Sequence, residues 1–329
     1  MFWGTFFSIA AAISAVYYSY KKVAPDLIEI SGLIREKEPV VEQKIWWKES
    51  IFYRVDLRNY QDSDGDGLGD VGGLIERLPY VSELGVDAIW LSPFVPEDKD
   101  FEDLRKACAQ RKIKIVLDLP GNATLKVKEA KKWIDWFWAT ESLFENYINA
   151  SCEMEQDWIG YSIRPQKSPE KARLAAMLLL TLKGTPILNY GEEIGMTEDE
   201  PMRWEPGLFS GFSTGQPWKA NSEETLSVAE HKEDYNDSLY WFYRKLIYFR
   251  QENLSLQLGN QVIEKYHHPH VLIYSRTYEQ KTLWIALNMA ERIVELKHHS
   301  EPKVLFSTHL NKSDGFTIKA FEGIVWSYE

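Results

Sequence analysis

The longest uncharged stretch of the chain comes first. Residues 2–20, FWGTFFSIAAAISAVYYSY, carry no charged side chain. That length lets a helix cross a bilayer, and Trp3, Tyr17, Tyr18 and Tyr20 near its ends suit the two interfaces. The pattern predicts a transmembrane anchor over residues 1–22. A signal peptide cut near Ser14 or Ala15 competes with it, although the basic stretch expected before such a core is missing. Residues 23–44 follow as a charged, proline-interrupted neck in which Leu27, Ile30, Leu33 and Ile34 recur at helical spacing.

Beyond the neck the pattern changes. Residues 51–57 read as a strand and lead into an acid-and-glycine turn. Leu74, Leu78, Val81 and Leu84 then predict a helix ended by Gly85, and residues 86–91 a buried strand, which together make a βαβ unit. Ser168 and Pro169 open a second apolar helix that Gly184 ends, and Tyr240, Tyr243, Leu246, Ile247 and Phe249 mark a third. After residue 257 the period becomes two. VLIYSRTY, TLWIALNMA, RIVELKH, KVLFSTH and GIVWSYE alternate between turns, as strands of an antiparallel β-sandwich do. The predicted organisation is an anchor (1–22), a neck (23–44), an α/β body (45–256) and a β-sandwich (257–329).

Composition narrows the function classes. A net charge of −11 argues against nucleic acid as a partner. The two cysteines do not suit a metal: Cys108 shares a helix face with Phe101 and Leu104, and Cys152 stands beside a sequon. His267, His268 and His270 lie on a turn with no carboxylate or cysteine at zinc-ligand spacing.

The acid-and-glycine turn holds the sharpest chemistry. Asp62, Asp64, Asp66 and Asp70 are spaced so that their carboxylates can converge on one hard cation, with the Leu68 carbonyl as a further oxygen. Structural calcium is the expected occupant. An EF-hand is excluded, because Gly73 stands where its bidentate glutamate belongs and the preceding segment is a strand.

Residues 46–94 resemble the first strand, metal loop and second strand of α-glucosidases in the α-amylase family. GTPILNYGEEIGM, residues 184–196, resembles that family's last barrel strand, and PMRWEPGLFSGFSTGQPW, residues 201–218, the loop that follows. The resemblance implies a (β/α)8 barrel followed by a small β-sandwich, with chemistry at the C-terminal strand ends. Asp118 and Asn122 stand where the family's third-strand motif begins, but Ala123 replaces its histidine. No string matches the fourth-strand nucleophile or the fifth-strand acid, and Gly160-Tyr161-Ser162-Ile163 replaces the seventh-strand Gly-Asn-His-Asp. Retaining hydrolysis needs two carboxyl groups across the scissile bond. A truncated barrel with no catalytic residue is therefore expected, with Glu192 and Glu193 pointing to opposite faces of a strand. Five surviving strands are too few to close such a barrel by themselves.

The family's non-hydrolytic branch, the heavy subunits of heteromeric amino-acid transporters, also has one span and a glucosidase-like ectodomain. The resemblance then implies a polytopic light subunit as partner, held noncovalently because residues 21–50 lack cysteine. Lys21 and Lys22 favour keeping that flank in the cytosol. Five sequons, at Asn122, Asn149, Asn236, Asn253 and Asn311, favour a type II plasma-membrane protein with an extracellular ectodomain, or a secreted one if the first segment is cleaved. An α-glucosidase-type carbohydrate-active enzyme, or a relic of one, is the alternative.

Overall fold

The computed structural model describes residues 46–91, 98–117, 160–163, 166–197, 199–221, 226–264, 270–297, 300–310, 314 and 316–328. The anchor and neck lie outside the described residues. Among the described residues no helix is long and apolar enough to cross a membrane. Asp118, Asn122, Ala123, Asn149, Cys152 and Asn311 also lie outside them.

Residues 46–329 make up one compact unit. Its first sheet is parallel and five-stranded, in the order β3-β2-β1-β5-β4. These strands are β1 (Phe52–Val55), β2 (Ala88–Leu91), β3 (Lys114–Leu117), β4 (Gly160–Tyr161) and β5 (Thr185–Asn189). β1 pairs with β2 on one side and with β5 on the other, in register Phe52 to Ala88 and Phe52 to Ile187. First and last strands thus meet as they do in a closed barrel. Among the described residues the sheet is an arc with β3 and β4 at its edges.

Alternation sets its two buried faces. Tyr53, Val55, Ile89, Leu91 and Leu188 enter the main core on the helix side, while Phe52, Ala88, Trp90 and Ile187 form a smaller cluster on the other side. Burial on both faces explains why these strands read as apolar runs.

Helices cover the outer face. α1 (Val71–Leu84) starts at an Asp70 cap that accepts from the Gly73 N–H, and it ends where Gly85 turns left-handed at φ 94°. α2 (Asp98–Gln110) buries Leu104 and Cys108. α3 (Pro169–Thr181) has the expected Ser168 cap and Pro169 start, but ends at Leu182, before Gly184. α4 (Leu239–Gln251) packs Tyr240, Tyr243, Leu246 and Ile247 inward.

The second sheet is antiparallel, in the order β10-β12-β8-β7-β6. It is built from β6 (Asn260–Ile263), β7 (Val271–Tyr278), β8 (Lys281–Asn288), β10 (Lys303–Ser307) and β12 (Gly323–Ser327). One face, with Leu272, Tyr274, Leu283 and Ile285, joins the main core. The other, with Val271, Ile273, Ala286 and Trp326, packs under a ribbon of β9 (Val294–Glu295) and β11 (Thr317–Ile318). The sandwich is therefore lopsided: its second layer has two short strands, and the run expected over RIVELKH pairs over only two residues.

Two buried arginines, Arg250 on α4 and Arg276 on β7, tie the end of α3 to its neighbours. Arg250 Nη1 donates to the Leu180 carbonyl at 2.8 Å and Nη2 to that of Gly184 at 2.7 Å, while Arg276 Nη1 donates to Thr181 at 2.6 Å. They satisfy the carbonyls left over at the end of α3 and place positive charge at the negative end of its dipole. Replacing Arg250 by Ala strands two buried carbonyls, and urea unfolding should show a loss of roughly 3 kcal/mol.

Candidate functional site

The acid loop folds as a chain of local hydrogen bonds. Asp62 Oδ1 accepts from the Asp64 and Gly65 N–H groups at 3.1 and 2.8 Å, and its Oδ2 from Gly67 N–H at 2.8 Å. Asp64 and Asp66 accept from the N–H two residues on. Asp70 binds the Ser63 N–H at 2.8 Å while capping α1. Gly73, at the place of an EF-hand glutamate, is thus part of a helix start. Burial disfavours the Asp62 carboxylate, but hydrogen bonds from Ser213 and the loop N–H groups outweigh it and hold its pKa below the usual range.

Asp62, Asp64 and Asp70 each bring a carboxylate oxygen within 4.8 Å of the others. An all-oxygen donor set of three carboxylates fits calcium. The Asp66 carboxylate is not in that group; its side chain is exposed and Oδ1 takes the Leu68 N–H at 2.8 Å. Gly67 keeps the loop tight, since at φ 93° a Cβ there would lie 2.3 Å from the Gln216 carbonyl.

The second cluster sits at the C-terminal end of β5. Glu192 and Glu193 lie in a single 3-10 turn, Glu192–Ile194, rather than on a strand, because Gly191 and Gly195 on either side are left-handed at φ 82° and 80°. Both are buried. Glu193 Oε1 accepts from the Tyr53 hydroxyl at 2.6 Å and the Tyr80 hydroxyl at 2.7 Å, while Oε2 has no hydrogen-bond partner among the described residues. Burial raises its pKa against those two donors. Trp204 stacks edge-on against Tyr60 and Tyr80, with centroids 5.1 and 5.0 Å away, and donates from Nε1 to the Tyr60 carbonyl at 2.8 Å.

Glu192 takes a hydrogen bond from Asn189, yet burial pushes its pKa up to about 8. It borders a cavity of about 10 Å³ with Ile163, Gln166 and Tyr243, room for at most one water. Ile163 stands where the seventh-strand motif has its carboxylate, and it is buried there.

Asp56 caps the short helix Leu57–Tyr60 through Arg58 N–H. Of the sequons, Asn236 is exposed. Asn253 is buried, with Nδ2 donating to the Phe249 carbonyl at 2.7 Å and Oδ1 accepting from Lys281.

Among the described residues, a parallel sheet whose first and last strands pair, with acidic groups at its C-terminal strand ends, is the arrangement of an α/β-barrel fold. The family described as "Alpha amylase, catalytic domain" matches residues 57–98 and 159–259 of this chain. Oligo-1,6-glucosidase from Bacillus cereus is 37% identical over 103 residues, covering 25% of this chain and 18% of that enzyme. Oligo-1,6-glucosidase from Halalkalibacterium halodurans is 52% identical over 62 residues, covering 18% of this chain and 11% of the enzyme. The matches thus span less than a fifth of these relatives' length. MutB bound to sucrose superposes with a TM-score of 0.72 at 15% identity, over 86% of this chain and 99% of that one. That likeness establishes the fold.

The expectation of a chain without catalysis is overturned by these matches. The relatives are glucosidases by name, and they carry the enzyme side of the sequence reading rather than its transporter-subunit side. The inert reading rested on Ala123, on the absent fourth- and fifth-strand strings and on Ile163; of these positions, Ile163 lies among the described residues.

Glu192 gives a pH test. Its folded pKa is raised, so folding favours the protonated form. Stability is full below the ordinary glutamate value near 4.5, falls as pH rises toward 8, and levels off above. Unfolding midpoints of wild type should drop between pH 6 and 8, and Glu192→Gln should flatten that drop; parallel curves would contradict it.

Proposed function

We propose that this chain is a carbohydrate-active protein of the α-glucosidase type, acting on α-linked glucosides, with a structural calcium ion held by the loop Asp62–Asp70. One observation supports the reading best. The β1 strand and acid loop meet residues 184–196 and 201–218, more than a hundred residues later in the chain, around the ends of β1 and β5 through Asp62–Ser213, Tyr53–Glu193 and Trp204–Tyr60 contacts. A family resemblance confined to sequence strings would not require those contacts to form.

Asp62, Asp64 and Asp70 would hold the calcium ion, which supplies charge neutralisation to a loop of converging carboxylates and no step of the reaction. The chain's own residues brace the strand ends. Tyr53 and Tyr80 fix Glu193, and Trp204 fills the space between α1 and the helix Leu57–Tyr60.

Purified protein should release p-nitrophenol from p-nitrophenyl α-glucoside, or bind an α-1,6-linked glucose oligosaccharide saturably. Neither turnover nor binding with correctly folded protein would contradict the proposal. Calcium should raise the melting temperature of wild type, and Asp62→Asn should remove most of that increase without changing the melting temperature in chelator by more than a few degrees.

A further inference from the structure

Residues 201–218 pack against both the acid loop and α1, and their contact with the loop is specific. Ser213 Oγ donates to Asp62 Oδ2 at 2.5 Å, and it accepts from Gly215 N–H at 2.8 Å, so its hydroxyl proton is aimed at the carboxylate. The Phe212 carbonyl accepts from Asp62 N–H and from Gln61 Nε2, both at 2.9 Å. Arg77 donates to Gln61 Oε1 at 2.7 Å and to the Gly211 carbonyl at 3.2 Å, and stacks on Trp204 with its guanidinium carbon 4.4 Å from the ring centre. Trp218 N–H returns to the Gly67 carbonyl at 3.1 Å. The backbones touch so closely that a Cβ at Gly215 would lie 2.1 Å from the Gly65 carbonyl.

Asp62 is the most buried of the three converging carboxylates. Its other hydrogen bonds come from its own loop, at Asp64, Gly65 and Gly67, and these form whenever the turn forms. The Ser213 bond differs because it comes from a segment about 150 residues later in the chain. It adds a second donor at Asp62 Oδ2, beside the Gly67 N–H, and so bears on the lone pairs a cation would use.

We infer that Ser213 is a positioning residue of the Asp62 cation site, so that cation affinity and the docking of residues 201–218 form one linked equilibrium. The inference rests on the calcium reading of the loop given above. Outer partners that orient a ligating carboxylate typically change metal affinity about 10–100-fold when removed. Linkage is reciprocal, so calcium must stabilise the docked segment by the factor that docking adds to calcium affinity. The segment's tip is where this shows: Leu208 is 82% exposed, and Phe209 and Ser210 are held left-handed at φ 56° and 53°, a conformation that needs the surrounding contacts to persist.

The test combines calcium titration calorimetry with limited chymotrypsin digestion of the full chain. Wild type should bind calcium, and calcium should slow cleavage after Leu208 and Phe209. Ser213→Ala should lower calcium affinity about 10–100-fold and lose most of that protection, and Ser213→Thr, which keeps the hydroxyl, should recover both. A purely structural role would lower the melting temperature in chelator and leave calcium affinity unchanged. Wild-type affinity in Ser213→Ala, or calcium-independent cleavage in a wild type that binds calcium, overturns the inference. A wild type that binds no calcium overturns it together with the calcium reading, and is told apart because the titration then fails before any variant is compared.

Discussion

The buried carboxyl of Glu193 is the constraint on which the rest of the site depends. Its Oε1 takes hydroxyls from Tyr53 on β1 and Tyr80 on α1, and Glu193 itself follows β5. One acid group thus joins the first strand, the first covering helix and the last strand. A buried carboxyl without such donors would be costly, and two buried tyrosine hydroxyls without an acceptor equally so. The three side chains make sense only together, and they bring first and last parallel strands into contact.

The acid loop extends that arrangement outward. Asp70 caps α1 at its start, and Tyr80 reaches Glu193 from the same helix. Trp204 wedges against Tyr60 and Tyr80, and eight residues later the same segment begins to wrap the Asp62 turn. The acid loop, the aromatic wedge and the buried acid are therefore successive layers on one helix, which makes the loop a brace for the strand ends rather than an isolated surface turn.

Local chemistry was legible in the sequence wherever a side chain acts on its own neighbours. Gly85 as a left-handed helix stop, Ser168 and Pro169 as a helix start, and the alternation of β7 and β8 needed only spacing and residue type. β6 escaped because Asn260–Ile263 is polar enough to pass for a turn. Glu192 and Glu193 were misplaced on a strand because the two flanking left-handed glycines that turn the chain there were not weighed. Asn253 shows the limit of a motif, since a sequon carries no information about burial. The Ser213 and Tyr80 contacts were out of reach, because nothing local marks a residue that acts across 151 or 113 positions.

The claim that Glu193 and its tyrosines act as one unit is tested most directly by a double-mutant cycle in urea, with Tyr80→Phe, Glu193→Met and both together. Cooperation predicts that the double variant loses less stability than the sum of the singles, by about 1 kcal/mol or more. Additive losses would mean that the hydroxyl and the carboxyl contribute independently, and that the first and last strands are held together by something else.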